Sequence, residues 1–280
     1  MRASFKRCYL ACNKTGGVSL KLLRLLGLCA SLLLTAPALA SAPLAMRFAT
    51  EEWPPFFSST LPDNGLTGAL LQSVLERMGY TAQIDYFPWK RAMEFGLHDP
   101  RYAGVVAMYR TPEREKLCHL SSAVGARQTV LAFLKDKPVS AATLADLHGM
   151  RIGTVAGYSN GEQFDAMRHS GLLKVEEGLN DEMNLRKLLA RRFGAIVIEK
   201  RMLRYLLSGG HYTQAQRAHV AIAEHLFRER AVHVCFQRTA EGLQRRRAFN
   251  QAAREVDLAR IERDYWRSLG AAPAIPKTLR

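Results

Sequence analysis

Short apolar runs alternate along most of this chain with longer stretches in which apolar residues recur at helical spacing. Met46 to Thr50 reads as a strand, broken by Glu51-Glu52-Trp53-Pro54-Pro55-Phe56-Phe57, since two prolines cannot continue a ladder. Asp63-Asn64-Gly65 is a turn. Leu66 to Met78 is an amphipathic helix with Leu70, Leu71, Val74, Leu75 and Met78 on one face, closed by Gly79. Tyr80 to Phe87 is a strand, Pro88-Trp89-Lys90-Arg91 opens a helix ending near Gly96, and Tyr102 to Met108 is a buried strand. The alternation implies a mainly parallel α/β sheet.

The pattern restarts after Gln128. Strands are expected at Thr129 to Leu134, Arg151 to Val155, Leu173 to Glu176, Ala195 to Ile198, Val220 to Ala223 and Val232 to Phe236. A helical turn is expected at Leu144 to Gly149. Helices follow Gly157-Tyr158-Ser159-Asn160-Gly161 as far as His169 and span Glu182 to Arg191, Glu241 to Arg254 and Leu258 to Leu269. The tail from Ala271 to Arg280 carries two prolines and reads as loose.

The first forty residues follow a different logic. Lys21 and Arg24 precede the apolar run Leu25 to Leu34 and the small-residue step Ala38-Leu39-Ala40, the arrangement of a secretory signal peptide cleaved after Ala40, with Ala45 as a second site. Leu28 stands before Cys29 where lipidation requires a small residue. Removing the leader takes away six basic residues and lowers the formal charge from +15 to +9. That excess favours anionic ligands or surfaces. Export and the lack of zinc-finger or helix-turn-helix spacing argue against nucleic acid. The eight histidines show no paired ligand spacing, so no metal and no cofactor is expected. Of five cysteines, Cys8, Cys12 and Cys29 fall in the leader. Cys118 and Cys235 either pair in an oxidising compartment or remain two buried thiols.

Candidate chemistry gathers at the strand ends. Tyr109-Arg110-Thr111-Pro112-Glu113-Arg114 follows the buried strand at 102–108; Thr111 suits a helix cap and Pro112 the first turn. Arg114 then sits beside free backbone N–H groups, a good seat for a carboxylate. Trp53 and Trp89 each follow a strand, and Ser159 and Asn160 lie in a glycine-led turn that offers N–H groups and a hydroxyl to an anion or simply caps the next helix. Glu199 ends the apolar run Ala195 to Ile198 and needs a partner if buried, with Lys200 or Arg201 at hand.

Taken in order, these motifs resemble the extracytoplasmic solute-binding proteins of family 3, the polar amino-acid binding proteins of ABC uptake systems, from about Met46 to Leu269. The resemblance implies a two-lobe, periplasmic-binding-protein-like clamp of type II, each lobe a mainly parallel sheet flanked by helices. Lobe I would comprise residues 41–127 and 233–270, and lobe II residues 128–232. It implies that Arg114 grips a ligand carboxylate, that Glu199 takes the amine, and that Trp53 and Trp89 cover the apolar part. Ala107 and Tyr109 would line the strand end, where relatives carry small hydroxyl residues, and Ser159 and Asn160 would add hydrogen bonds on closure. It also places Cys118 and Cys235 near the two interlobe crossings, which favours a disulfide.

The expected protein is a periplasmic monomer that holds a small polar or anionic ligand and passes it to an ABC permease or a sensor protein. It is not expected to be an enzyme. The competing reading is a periplasmic enzyme on the same fold, resembling cyclohexadienyl dehydratase, with Glu199 and His119 as acid and base.

Overall fold

The computed structural model describes residues 44–270. The expected signal peptide and the loose tail from 271 onward lie outside the described residues. The fold is built from two five-stranded sheets. The first half of the chain supplies β1 (Leu44–Thr50), α1 (Leu66–Arg77), β2 (Tyr80–Tyr86), α2 (Trp89–His98), β3 (Gly104–Tyr109), α3 (Pro112–Leu117) and β4 (Cys118–Arg127). Next come β5 (Thr129–Leu134), β6 (Arg151–Val155), α4 (Glu162–His169), β7 (Lys174–Gly178), α5 (Asp181–Leu189), β8 (Ala195–Glu199), α6 (Lys200–Ser208), α7 (Gln214–His219) and β9 (Val220–Ala223). The chain ends with β10 (Arg230–Gln237), α8 (Ala240–Ala253) and α9 (Leu258–Gly270).

Lobe I has the strand order β2-β1-β3-β10-β4, and lobe II the order β7-β6-β8-β5-β9. In each sheet the strand that runs against the others is the one arriving from the opposite lobe. β10 is antiparallel to both β3 and β4, and β5 is antiparallel to both β8 and β9. The crossings lie at Gln128, between β4 and β5, and at residues 224–229, between β9 and β10. The expected lobe boundary at 232/233 falls inside β10, which already pairs with lobe I at Arg230.

The cores form where the sequence pattern requires. Leu70, Leu71, Val74 and Leu75 of α1 are buried against the first sheet. β3, β5 and β8 are buried along their whole length, as continuous apolar runs in covered sheets should be. Three elements depart from the sequence reading. β4 is a ten-residue strand in a stretch rich in Ser, Ala and Gly that carries little β signal. α6 and α7 also form where the polar residues obscured a helix. Cys118 and Cys235 form a disulfide, with Cα atoms 5.6 Å apart, between β4 and β10. No helix among the described residues is long and apolar enough to cross a membrane.

Candidate functional site

In open α/β sheets, ligand sites form beyond the carboxyl ends of the parallel strands. Here those ends face one another across the space between the lobes. A cavity at that place is lined by Glu51 after β1, Trp53, Trp89 after β2, Ala107 and Tyr109 of β3, Arg114 of α3, and Tyr158 and Ser159 after β6. It leaves about 20 Å³ for the centres of water molecules.

Arg114 reaches the cavity because Thr111 caps α3, accepting from the Arg114 N–H at 3.2 Å, and Pro112 starts the helix. Its guanidinium is buried. It donates to the Tyr109 carbonyl at 3.0 Å and, across the lobes, to the Gly157 carbonyl at 3.2 Å. Among the described residues it makes no ion pair. Burial, then the neighbouring Arg230, pull its pKa down to about 10. A buried arginine bonded only to carbonyls is poised for an anion. The adjacent Arg110 does not join it, being exposed and paired with Glu115.

Ala107 and Tyr109, two residues apart on β3, line the same cavity, and a bulge includes Ala107. From His233↔Met108 to Cys235↔Val105, β3 advances one residue more than β10. Ala107 takes up the difference at φ 69°, in the left-handed region. Tyr109 then lies between Trp53, 6.3 Å away between ring centroids, and the Arg230 guanidinium, 3.9 Å from its own ring centroid. Trp53 is held by the tight turn it opens, its N–H donating to the Phe57 carbonyl at 2.8 Å. Its indole Nε1 is buried without a hydrogen-bond partner among the described residues.

Trp89 spans the lobes. Its Nε1 donates to the Gly157 carbonyl at 3.1 Å, and its ring meets Tyr158 edge-on at 6.0 Å. Gly157 is at φ 81°, and a Cβ there would approach the Trp89 Cδ1 to 3.2 Å and the Lys90 Cγ to 3.1 Å. Glycine therefore serves both a left-handed turn and a close lobe–lobe contact.

The lobe II turn engages two of its donors with Asp165, while the Asn160 side-chain Nδ2 is buried without a hydrogen-bond partner among the described residues. The Ser159 hydroxyl donates to Asp165 at 2.8 Å, and the Asn160 N–H donates to the other Asp165 oxygen at 3.1 Å. Arg230 in turn bonds the Ser159 hydroxyl and carbonyl. Ser159 lines the cavity and Asn160 does not, although Asn160 is buried. Glu199 is buried but also absent from the lining. Its carboxylate caps α6, accepting from the Met202 N–H at 2.7 Å. Burial pushes its pKa up to about 7, while the Met202 bond and Arg127 act in the opposite direction. Lys200 and Arg201 pair instead with Glu224 and Glu262.

The structure adds an acidic wall that the sequence reading did not single out. Glu51 is buried at the end of β1, and burial holds its carboxyl well above the usual range. Tyr158 lines the cavity beside Glu51, and its hydroxyl donates to Asp181, the first residue of α5, at 3.5 Å. Burial, with Glu199 nearby, raises Asp181 to about 7. The sequence signal was positional. Glu51 follows β1 directly, Tyr158 sits inside the quoted turn, and Asp181 opens the helix after β7. On the basic side Arg127 is also buried, donating to the Thr67 hydroxyl at 2.7 Å. His119 lies near the start of β4, opposite Phe236. Glu199 is opposite Thr129, just past the other end of that strand. The two are therefore separated by on the order of 30 Å of extended chain.

No protein-family model matches this sequence, and no curated protein matches it. Solved structures do. The GluR0 ligand-binding core from Nostoc punctiforme in complex with L-glutamate superposes with a TM-score of 0.63 at 19% identity, over 81% of this chain and 98% of that one. An ancestral arginine-binding protein bound to arginine gives 0.66 at 18%, over 80% and 97%. An ancestral amino-acid-binding protein described as a precursor of cyclohexadienyl dehydratase gives 0.62 at 15%, over 80% and 94%. The chain thus has the two-lobe, type II periplasmic-binding-protein-like fold.

Proposed function

We propose that this chain is a periplasmic solute-binding protein whose two lobes close on a small zwitterion, an amino acid or close analogue, for delivery to a membrane permease or a sensor. One observation carries the reading. Arg114, buried and without a counter-ion among the described residues, lines the same cavity as the buried acid Glu51. A ligand with an anionic and a cationic end satisfies both, and Trp53, Trp89 and Tyr109 supply apolar walls between them. The fold's occurrence in proteins solved with arginine and with glutamate supports the ligand class.

In this arrangement the Arg114 fork takes the carboxylate in a bidentate pair and Glu51 takes the amine. Glu199, with its carboxylate committed to capping α6, contributes negative potential from behind Asp181. Closure is a hinge motion about Gln128 and residues 224–229. Ligand contacts to both lobes shift the equilibrium toward the closed form. The test is a thermal-shift screen of the mature protein against amino acids, dicarboxylates and polyamines. A zwitterionic amino acid is expected to raise the melting temperature, and Arg114→Ala is expected to abolish that rise. An unchanged shift in the variant removes Arg114 as the anchor.

A second reading rests on a specific feature: a buried carboxyl with a raised pKa inside the cavity is what a general acid requires. Glu51 would then protonate a leaving group, as in a dehydratase. Multiple turnovers of prephenate or arogenate, in place of stoichiometric binding, would favour this reading. Loss of turnover in Glu51→Gln would assign the acid.

A further inference from the structure

Eight residues line the cavity between the lobes, and four of them are aromatic: Trp53, Trp89 and Tyr109 from lobe I and Tyr158 from lobe II. Arg114 is the one cation in the lining and Glu51 the one acid. The rings meet nearly at right angles. Trp53 stands at 86° to Tyr109, and Trp89 at 89° to Tyr158. Stacked rings cover one another, whereas rings at right angles leave a corner open to a small group. The set already attracts cations. The Arg230 guanidinium lies 3.9 Å from the Tyr109 ring centroid, and that of Arg114 lies 5.7 Å from Trp89. No protein cation covers Trp53 or Tyr158 among the described residues.

Oxygen acceptors at the same place are largely engaged. The Tyr109 carbonyl accepts from Arg114, and the Gly157 carbonyl from both Arg114 and Trp89. The Ser159 hydroxyl gives its proton to Asp165 and accepts from Arg230. Among the lining side chains this leaves the Glu51 carboxyl and the phenol oxygens of Tyr109 and Tyr158. A primary ammonium concentrates its charge on three N–H groups, each of which needs an acceptor once water is excluded. An N-methylated ammonium spreads its charge over methyl groups, which need no acceptor and rest on ring faces.

We propose, on the zwitterion reading above, that the cationic end of the ligand is N-methylated: a tertiary or quaternary ammonium of the betaine class, seated against Trp53, Trp89, Tyr109 and Tyr158. Glu51 serves as its counter-charge and offsets the like charges of Arg114 and Arg230. Arg114 keeps the carboxylate. The rings are thereby assigned to the nitrogen of the ligand, in place of an apolar side chain on its α-carbon.

The experiment is titration calorimetry of the mature protein with glycine, N-methylglycine, N,N-dimethylglycine and trimethylglycine, which share a carboxylate and differ only at nitrogen. Two further probes separate bulk from charge. Valine is an isomer of trimethylglycine with its methyl groups on carbon, and 3,3-dimethylbutyrate has the shape of trimethylglycine without the positive charge. Affinity is expected to rise with each methyl group. Trimethylglycine is expected to bind at least about tenfold more tightly than glycine, valine or 3,3-dimethylbutyrate. Trp53→Leu and Tyr158→Leu each remove a ring and no charge, and each is expected to shrink the preference for trimethylglycine over valine. That ratio does not follow a general loss of stability, and two variants are used so that one folding failure leaves the other. Affinity that is flat or falls with methylation overturns the proposal. So does valine or 3,3-dimethylbutyrate matching trimethylglycine, or an unchanged preference in whichever variant folds. Binding of primary amino acids alone overturns the proposal and leaves the solute-binding reading standing. Failure of every zwitterion, in this series and in the thermal-shift screen, removes both.

Discussion

Lobes I and II use the same strand order, yet they set different chemistry at the ends of those strands. Lobe I presents Arg114, Trp53, Trp89, Tyr109 and Glu51, most of a pocket, with Arg114 left without a counter-ion among the described residues. Lobe II presents Tyr158 and Ser159 to the cavity from a turn in which Asp165 takes the Ser159 hydroxyl and the Asn160 N–H. Lobe I thus holds the unpaired cation, and lobe II brings a turn with two donors tied to Asp165 and the buried acid Asp181 behind it. The same scaffold supports both roles because each depends on a few residues after the strands, while the sheets beneath supply rigidity.

The largest effect expected concerns the bond that ties β4 to β10 in lobe I and closes the loop containing lobe II. The disulfide joins β4 to β10 across 117 residues of sequence, and replacing Cys118 and Cys235 with Ser should cost about 5 kcal/mol by loop-closure entropy. Denaturant unfolding with and without reductant measures it. An unfolding midpoint unchanged by reductant would show that the bond does not brace the fold. Next is the anchor. Arg114→Lys keeps the charge but removes the fork, and ligand affinity by titration calorimetry should fall at least tenfold, about 1.4 kcal/mol. The contact between the lobes ranks third. Gly157→Val forces a branched residue into φ 81° and against Trp89, so scattering should show a more open particle and a loss of about 1–2 kcal/mol in closure. The smallest effect tests the lobe II turn directly. Asp165→Asn weakens the turn's internal bonds, and affinity should change by no more than about threefold if those donors serve the turn. A hundredfold change would show that lobe II grips the anion as directly as lobe I does.

The parts of the fold that were legible in the sequence were those with long apolar runs or clean helical spacing. The parallel strands β1, β2, β3, β6 and β8 and the helix α1 fall where the pattern puts them. β4 was hidden because its residues are small and polar, and its ten-residue length depends on pairing with β10, a partner more than one hundred residues away. The aromatic and arginine positions of the cavity were legible because large residues beside strand ends stand out. Glu51 was not, because it is next to Glu52 and reads as one of a pair of surface acids, whereas burial separates the two. Glu199 shows the converse. Its position at a strand end was plain, but its carboxylate is committed to α6, a helix the sequence reading did not contain.

The disulfide has a consequence for the connectivity of the molecule. Because Cys118 precedes the first crossing and Cys235 follows the second, the bond makes lobe II a closed covalent ring hung from lobe I. A single peptide cut at Gln128, at residues 224–229, or anywhere in lobe II opens that ring without separating the pieces. A protease that nicks the hinge of the oxidised protein therefore produces a chain that migrates as two fragments only after reduction. Lobe II becomes a separable piece only when both crossings are severed.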